Sequence, residues 1–546
     1  MSPNIPTASP DDPNPASAQV APVARDLVIA LALSSALVIL ISLVFEPRWE
    51  TNDDVAMSMV AHGYGGGEYG TPRLFFSSVL WGAVVRSLPS INGVLGYSIA
   101  TLMSLTLAGT ATIYFLLRIG LRRSTSVLIF ALVFFRPILF PQFTVTAGLL
   151  AIAAILGLLS YHRTASRVDL VAACCLAFLA YLIRGLELAL VTGVALPLLP
   201  WRKLLATRAV QVALTGLAVC IACATVADAY AYSSPEWQTF LQKNRARAAL
   251  TDFGATKLIL DHPDLLQRRG LSENDIRLVG NWFFVDPRLS DPELLKSLLA
   301  EIPVQNAIEQ NLASSLTAFS AMLGPQLLPL TLAGLILLVT SFRSKLLAAW
   351  AICLIAFLAL TVAGRFGVVR VYFPLFALLV IFACVTESRL SRWRFSAVIL
   401  ALSAGNLINV RFLIDEAAAS DQMVRLARAE KFVSPESTVI WGGSFPFQYA
   451  FPVFTREPDV RQTRIYGLGV FTLAPFSVAS ADERSGRGLL ERLRSSPGIP
   501  LISTTDYQSL LNTYCIEHFG SPLRMSISTQ TKLWSVMNAS CASRTE

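Results

Sequence analysis

Apolar residues occupy this chain in long blocks, and polar residues are concentrated in an N-terminal tail, short joints and three longer stretches. The first block, 27–45, carries no charge and is long enough to cross a bilayer as a helix. Similar blocks run roughly 95–117, 125–140, 143–160, 168–183, 185–200, 208–230, 319–341, 346–363, 371–386 and 395–413. Together they predict about eleven membrane helices. Residues 73–88 are also apolar but decide the topology. Read as an interfacial helix, they leave Arg118, Arg122, Arg123, His162, Arg163, Arg167, Arg202, Lys203, Arg208, Arg343, Lys345, Arg389, Arg392 and Arg394 on one side. Basic short loops mark the cytoplasmic side, so that reading is preferred.

The pattern gives a mainly α fold: a polytopic bundle with a small extracytoplasmic α/β domain. Residues 1–26, rich in Pro, Ser, Asp and Ala, are expected as a disordered cytoplasmic tail. The membrane domain is 27–413, with outer loops at 46–94 and 231–318. The α/β domain is 414–546. It holds a helix over about 416–431, strands at 438–441 and 500–503, a helix near 506–518, and a last strand or hairpin over 525–536. The expected location is the bacterial plasma membrane, with the N-terminus inside.

Composition agrees with this picture. The 546 residues are 54% hydrophobic and 15% charged, which excludes an ordinary soluble globule. The net charge of +8 sits largely in the short loops, so it reports orientation and predicts no nucleic-acid partner. Most cysteines lie in apolar blocks, including the Cys220–Cys223 pair. Cys515 and Cys541 fall in the exported region, where a disulfide is permitted.

Ionisable residues near membrane depth are costly and usually functional. Here they gather on one expected face. Asp53 and Asp54 follow the first span. Arg136 ends the third, Arg184 and Glu187 flank the turn between the fifth and sixth, and Arg365 and Arg370 bracket that between the ninth and tenth. Arginine binds phosphate bidentately and offsets the charge on a leaving phosphate. A carboxylate deprotonates an attacking hydroxyl. The combination suits inverting sugar transfer from a polyprenyl-phosphate donor to a glycan, lipid or protein acceptor. Asp53 and Asp54 are the candidate bases, and Arg184, Arg365 and Arg370 the candidate phosphate ligands. Glu187, Arg136, Trp237, Arg245, Arg247 and Trp282 are candidate lid or substrate contacts.

Each feature also has a plainer reading. Asn52-Asp53-Asp54 suits a helix start. Arg184 and Glu187 suit a local ion pair. Arg365 and Arg370 suit snorkelling at an interface. Trp237 and Trp282 suit interfacial anchoring.

In layout the chain resembles the GT-C superfamily of membrane glycosyltransferases: one span, an acidic outer loop with juxtamembrane helices, then a bundle and a large outer loop. The stretches ETNDDVAMSMVAHGYGGG, PQFTVTAGLL, YLIRGLE and NRARAALTDFG also resemble those of a family of largely uncharacterised bacterial multi-pass proteins. The superfamily resemblance implies that an acid of the first outer loop is the base and that 231–318 forms a lid. Many such enzymes carry a second acid in the next outer turn. Here that turn is Pro141-Gln142-Phe143-Thr144, so no metal site is expected and the cofactor is left open. A lipid-linked-glycan transporter would show paired halves and midplane breaks. Neither is visible in the sequence. A non-catalytic assembly protein on the same scaffold is the third alternative.

Overall fold

The computed structural model describes residues 15–302, 312, 319–365, 367–385 and 392–541. The sequence expectations for 1–14, Arg389 and part of the large loop lie outside those residues. The opening helices are α1 (Pro15–Val44), α2 (Asn52–His62), α3 (Val79–Ser87), α4 (Gly96–Arg118), α5 (Arg123–Leu139), α6 (Phe143–Thr164) and α7 (Arg167–Ala195). Apolar helices follow at Arg208–Ala231, Leu328–Thr340, Ser344–Val362 and Val369–Val385. Arg392–Glu430 then leads into the α/β domain.

Seven helices among the described residues are long and apolar enough to cross a membrane. Leu328–Thr340 and Val369–Val385 are shorter apolar helices, and α5 is a third. With the two halves of α7 counted apart, these helices match the expected count of about eleven. The segments 168–183 and 185–200 are two helices that meet at Arg184, whose backbone is non-helical (φ −157°, ψ 89°), where the turn between two spans was expected. Residues 15–26 belong to α1, so that part of the expected disordered tail is helical. Pro15 suits the first position, where its missing N–H is no loss.

α3 has only nine residues. It rises about 14 Å, under half the hydrocarbon thickness of about 30 Å. Leu80 and Val84 are exposed while Trp81 and Val85 are buried, so the helix offers apolar surface on both sides, as an interfacial helix does.

The bundle is densest around α6, whose residues are almost all buried. Small residues allow this. A Cβ at Gly148 would strike Pro374, and one at Gly157 would strike Ala173 and Phe115.

The C-terminal domain is a five-stranded sheet: β1 (Ser434–Trp441), β2 (Thr463–Leu468), β3 (Ile499–Ile502), β4 (Arg524–Gln530) and β5 (Ser535–Ser540). The order is β2-β1-β3-β5-β4, with β1 parallel to β2 and β3, and β5 antiparallel to β3 and β4. β2 was not anticipated. The helix expected at 416–431 is the far end of Arg392–Glu430, a 39-residue helix about 58 Å long that runs from the bundle to β1. Cys515 and Cys541 are disulfide-bonded, tying the Thr505–Phe519 helix to the residue after β5.

The three long polar stretches meet on one face. Gly65 bridges to Arg464 and Gly67 to Ser477, joining the loop after α2 to the sheet domain. Phe283 of the large loop stacks on Trp441 at 5.6 Å, and Tyr514 donates to Asp286 at 2.7 Å. The helices of 231–302 and the sheet therefore share one apolar core.

Candidate active site

α2 starts the site. Thr51 stands before it in extended backbone, and Gly63 ends it in the left-handed region (φ 71°), where a Cβ would collide with Tyr69 and Gly70. The two aspartates of its first turn face different ways. Asp54 is fully buried. Its Oδ1 accepts from the Tyr97 hydroxyl and the Phe143 N–H, both at 3.0 Å, and its Oδ2 accepts from Thr51 Oγ1 at 3.2 Å. Burial, with the neighbouring Asp53 carboxylate, pushes the Asp54 carboxyl up to about 8. Asp54 thus fastens α2 to the starts of α4 and α6. Next to it, His62 Nε2 accepts from the Tyr97 N–H at 3.1 Å; burial lowers its pKa to about 4, so it stays neutral.

Asp53 is 27% exposed and pairs with Arg370 at 2.9 Å. It also lines a cavity of about 370 Å³ between α2 and the sheet domain. Met59 and Val60 extend its wall of the cavity. Opposite lie Gly442 and Gly443, which follow β1, and Gly467 and Gly469 at the end of β2. Trp282, Phe471 and Phe476 supply aromatic surface. The carboxyl ends of parallel strands are where α/β sheets usually take ligands. Side chains are missing where they would intrude: a Cβ at Gly443, Gly467 or Gly469 would point into open space.

Cations lie behind Asp53. Arg184, at the break in α7, is within electrostatic reach of Arg365, Arg370, Asp53 and Glu187. It donates to the Phe76 carbonyl at 3.1 Å and faces the Phe143 ring. Arg365 approaches Asp252 at 3.6 Å and lies over Phe253. Arg247, at 3.8 Å, shares Asp252 and stacks on Trp282 at 4.4 Å. Glu187 is buried, and its Oε1 has no hydrogen-bond partner among the described residues. The arginines do not line the large cavity; Asp53 stands between it and them.

Other sequence candidates are placed elsewhere. Arg136 is buried between Glu416 (2.8 Å) and Glu50 (3.0 Å), so its charge is used within the fold. Trp237 is buried against Tyr232, Phe240 and Phe476. Arg245 is exposed on the Pro235–Thr251 helix. Sequence reasoning missed Tyr97 and the glycine wall. Gly442-Gly443 directly after a recognised strand was the available signal. Asp275, Glu517 and His518 bring ligand-type atoms within 4.8 Å of one another, but Asp275 already caps the Glu273–Gly280 helix.

No protein-family model and no curated protein sequence matches the chain. Among solved structures, it is similar to ArnT from Cupriavidus metallidurans in the apo state (13% identity, TM-score 0.39) and bound to undecaprenyl phosphate (13%, TM-score 0.38). Each comparison covers 96% of this chain and 98% of that one.

Proposed function

We propose that this protein is an inverting membrane glycosyltransferase that moves a sugar from a polyprenyl-phosphate donor to an acceptor hydroxyl. The observation that carries this reading is the position of Asp53. It is a partly exposed carboxylate between a cavity of about 370 Å³ and a group of arginines. In the reaction, Asp53 takes the proton of the acceptor hydroxyl. The hydroxyl oxygen attacks the anomeric carbon, and the bond from that carbon to the phosphate oxygen breaks. Arg370, Arg365 and Arg184 receive the charge left on the phosphate. One base and one displacement invert the anomeric centre. Trp282 and the phenylalanines offer flat apolar surface to a sugar ring.

The test is donor turnover by the purified full-length protein. Asp53→Asn keeps the shape and removes proton acceptance. It is expected to lower turnover by roughly 10²–10⁴-fold while the protein stays folded. Normal turnover in that variant would remove Asp53 as base.

A further inference from the structure

A second cavity, about 280 Å³, lies across the loop that follows β2. The two cavities share Gly469, Val470 and Thr472 as a common wall. Their chemistry differs. Lys243 and Arg247 enter the second from the Pro235–Thr251 helix, and Arg484 from the end of the Val478–Arg484 helix. Glu236 is the one acid in its lining; Asp252, outside the lining and shared with Arg365, lies 3.8 Å from Arg247, so Lys243 and Arg484 carry the free positive charge. Lys243 and Arg484 have no ion-pair partner among the described residues.

Arg247 connects the cavities. It is 5% exposed, and its guanidinium is fixed by the Asn244 side-chain oxygen at 2.7 Å and by Thr251 Oγ1 at 2.9 Å. Its plane lies on Trp282, which lines the first cavity. A cation held away from water attracts an anion more strongly than one in solvent. Burial lowers the Arg247 pKa to about 10, which still leaves it charged at neutral pH.

We infer that the second cavity binds an anionic group, a phosphate or carboxylate, carried by the acceptor. With that group anchored there, the acceptor reaches over the Gly469–Thr472 wall and presents its hydroxyl to Asp53. Calling the ligand an acceptor rests on the transferase reading; the anion site itself does not.

The experiment uses the full chain in nanodiscs of zwitterionic lipid. The probes are inorganic pyrophosphate and dihexanoyl phosphatidic acid, with dihexanoyl phosphatidylcholine as the uncharged-headgroup control. Both anions are expected to bind and the control not. Replacing Lys243→Gln and Arg484→Gln together is expected to weaken binding roughly a hundredfold, about tenfold per cation removed, with unchanged thermal stability. Arg370→Ala should leave it intact. Tighter binding of phosphatidic acid than pyrophosphate assigns a lipid headgroup, and equal binding assigns a free or glycan-borne anion. Equal affinity in wild type and the double variant overturns the site, as does loss in Arg370→Ala alone. In turnover assays the double variant should raise the acceptor KM with little change in kcat. Probe binding that depends on Lys243 and Arg484 without any turnover would uphold the anion site and reject the transferase reading. Normal turnover with no such dependence would do the reverse.

Discussion

Consecutive helical positions point about 100° apart, and Asp53 and Asp54 divide along that angle. One faces the bundle and is held by Tyr97, Phe143 and Thr51; the other faces the cavity. A proton follows from burial. The folded carboxyl of Asp54 titrates at about 8, against an ordinary value near 4. Between those values the folded state holds a proton that the unfolded state has lost. Neutral buried His62, lowered to about 4, contributes the opposite slope up to its ordinary value near 6.5, so stability is expected to fall as pH rises from about 6.5 to 8. Asn mimics the protonated acid: its oxygen accepts from Tyr97 and Phe143, and its amide donates to Thr51. Asp54→Asn should keep turnover and remove the fall in stability between about pH 6.5 and 8. Asp54→Leu strands the Phe143 N–H and should cost about 1–3 kcal/mol. Chemical denaturation at several pH values, beside turnover, checks both. An Asp54→Asn variant that folds normally but is inactive would make Asp54 the base instead.

At the scale of elements, the glycine wall gives the clearest test. Gly467 sits within β2, paired with Ile440, and a Cβ there meets nothing within 4 Å. Val suits a strand better than Gly and adds volume toward the cavity. Gly467→Val is expected to leave the thermal midpoint unchanged or slightly raised and to lower turnover at least tenfold. Unchanged turnover would mean that the cavity does not hold the substrates. The wall was hard to read in the sequence because β2, Thr-Arg-Ile-Tyr-Gly-Leu, has no clean alternation and a glycine inside. Its strand character comes from pairing with β1, a long-range contact that local pattern does not encode. The apolar helices were legible because bilayer length leaves a strong signature. One joint was legible too: the chain breaks at Arg184, between the two expected segments 168–183 and 185–200. The acidic run and the arginines were visible as residue types. That Arg136 belongs to Glu50 and Glu416, while Arg370 belongs to Asp53, depends on the tertiary fold.

Across the whole molecule, the site is assembled from parts far apart in the chain, and the assembly imposes an order on binding. α2 brings Asp53, the break in α7 brings Arg184, and the chain around Val369–Val385 brings Arg365 and Arg370. The long Arg392–Glu430 helix braces this face through Glu416, which pairs with both Arg136 and Arg48. Without substrate, Asp53 is engaged by Arg370 at 2.9 Å. In that position the Arg370 guanidinium occupies the carboxylate oxygen that would take the acceptor's proton. A donor phosphate competes for the same guanidinium with more charge and a matching bidentate geometry. Under the transferase reading, donor binding therefore releases Asp53 toward the cavity and creates the base. The expected kinetics are ordered, donor before acceptor. Polyprenyl phosphate without sugar should inhibit competitively against donor and noncompetitively against acceptor. Arg370→Ala removes the competitor along with the phosphate ligand. It should weaken donor affinity roughly tenfold or more and let acceptor bind without donor. Product-inhibition patterns and acceptor binding to the donor-free protein measure this directly. Acceptor affinity that is the same with and without donor, in wild type and Arg370→Ala alike, would show that the Asp53–Arg370 pair is structural and does not gate the base.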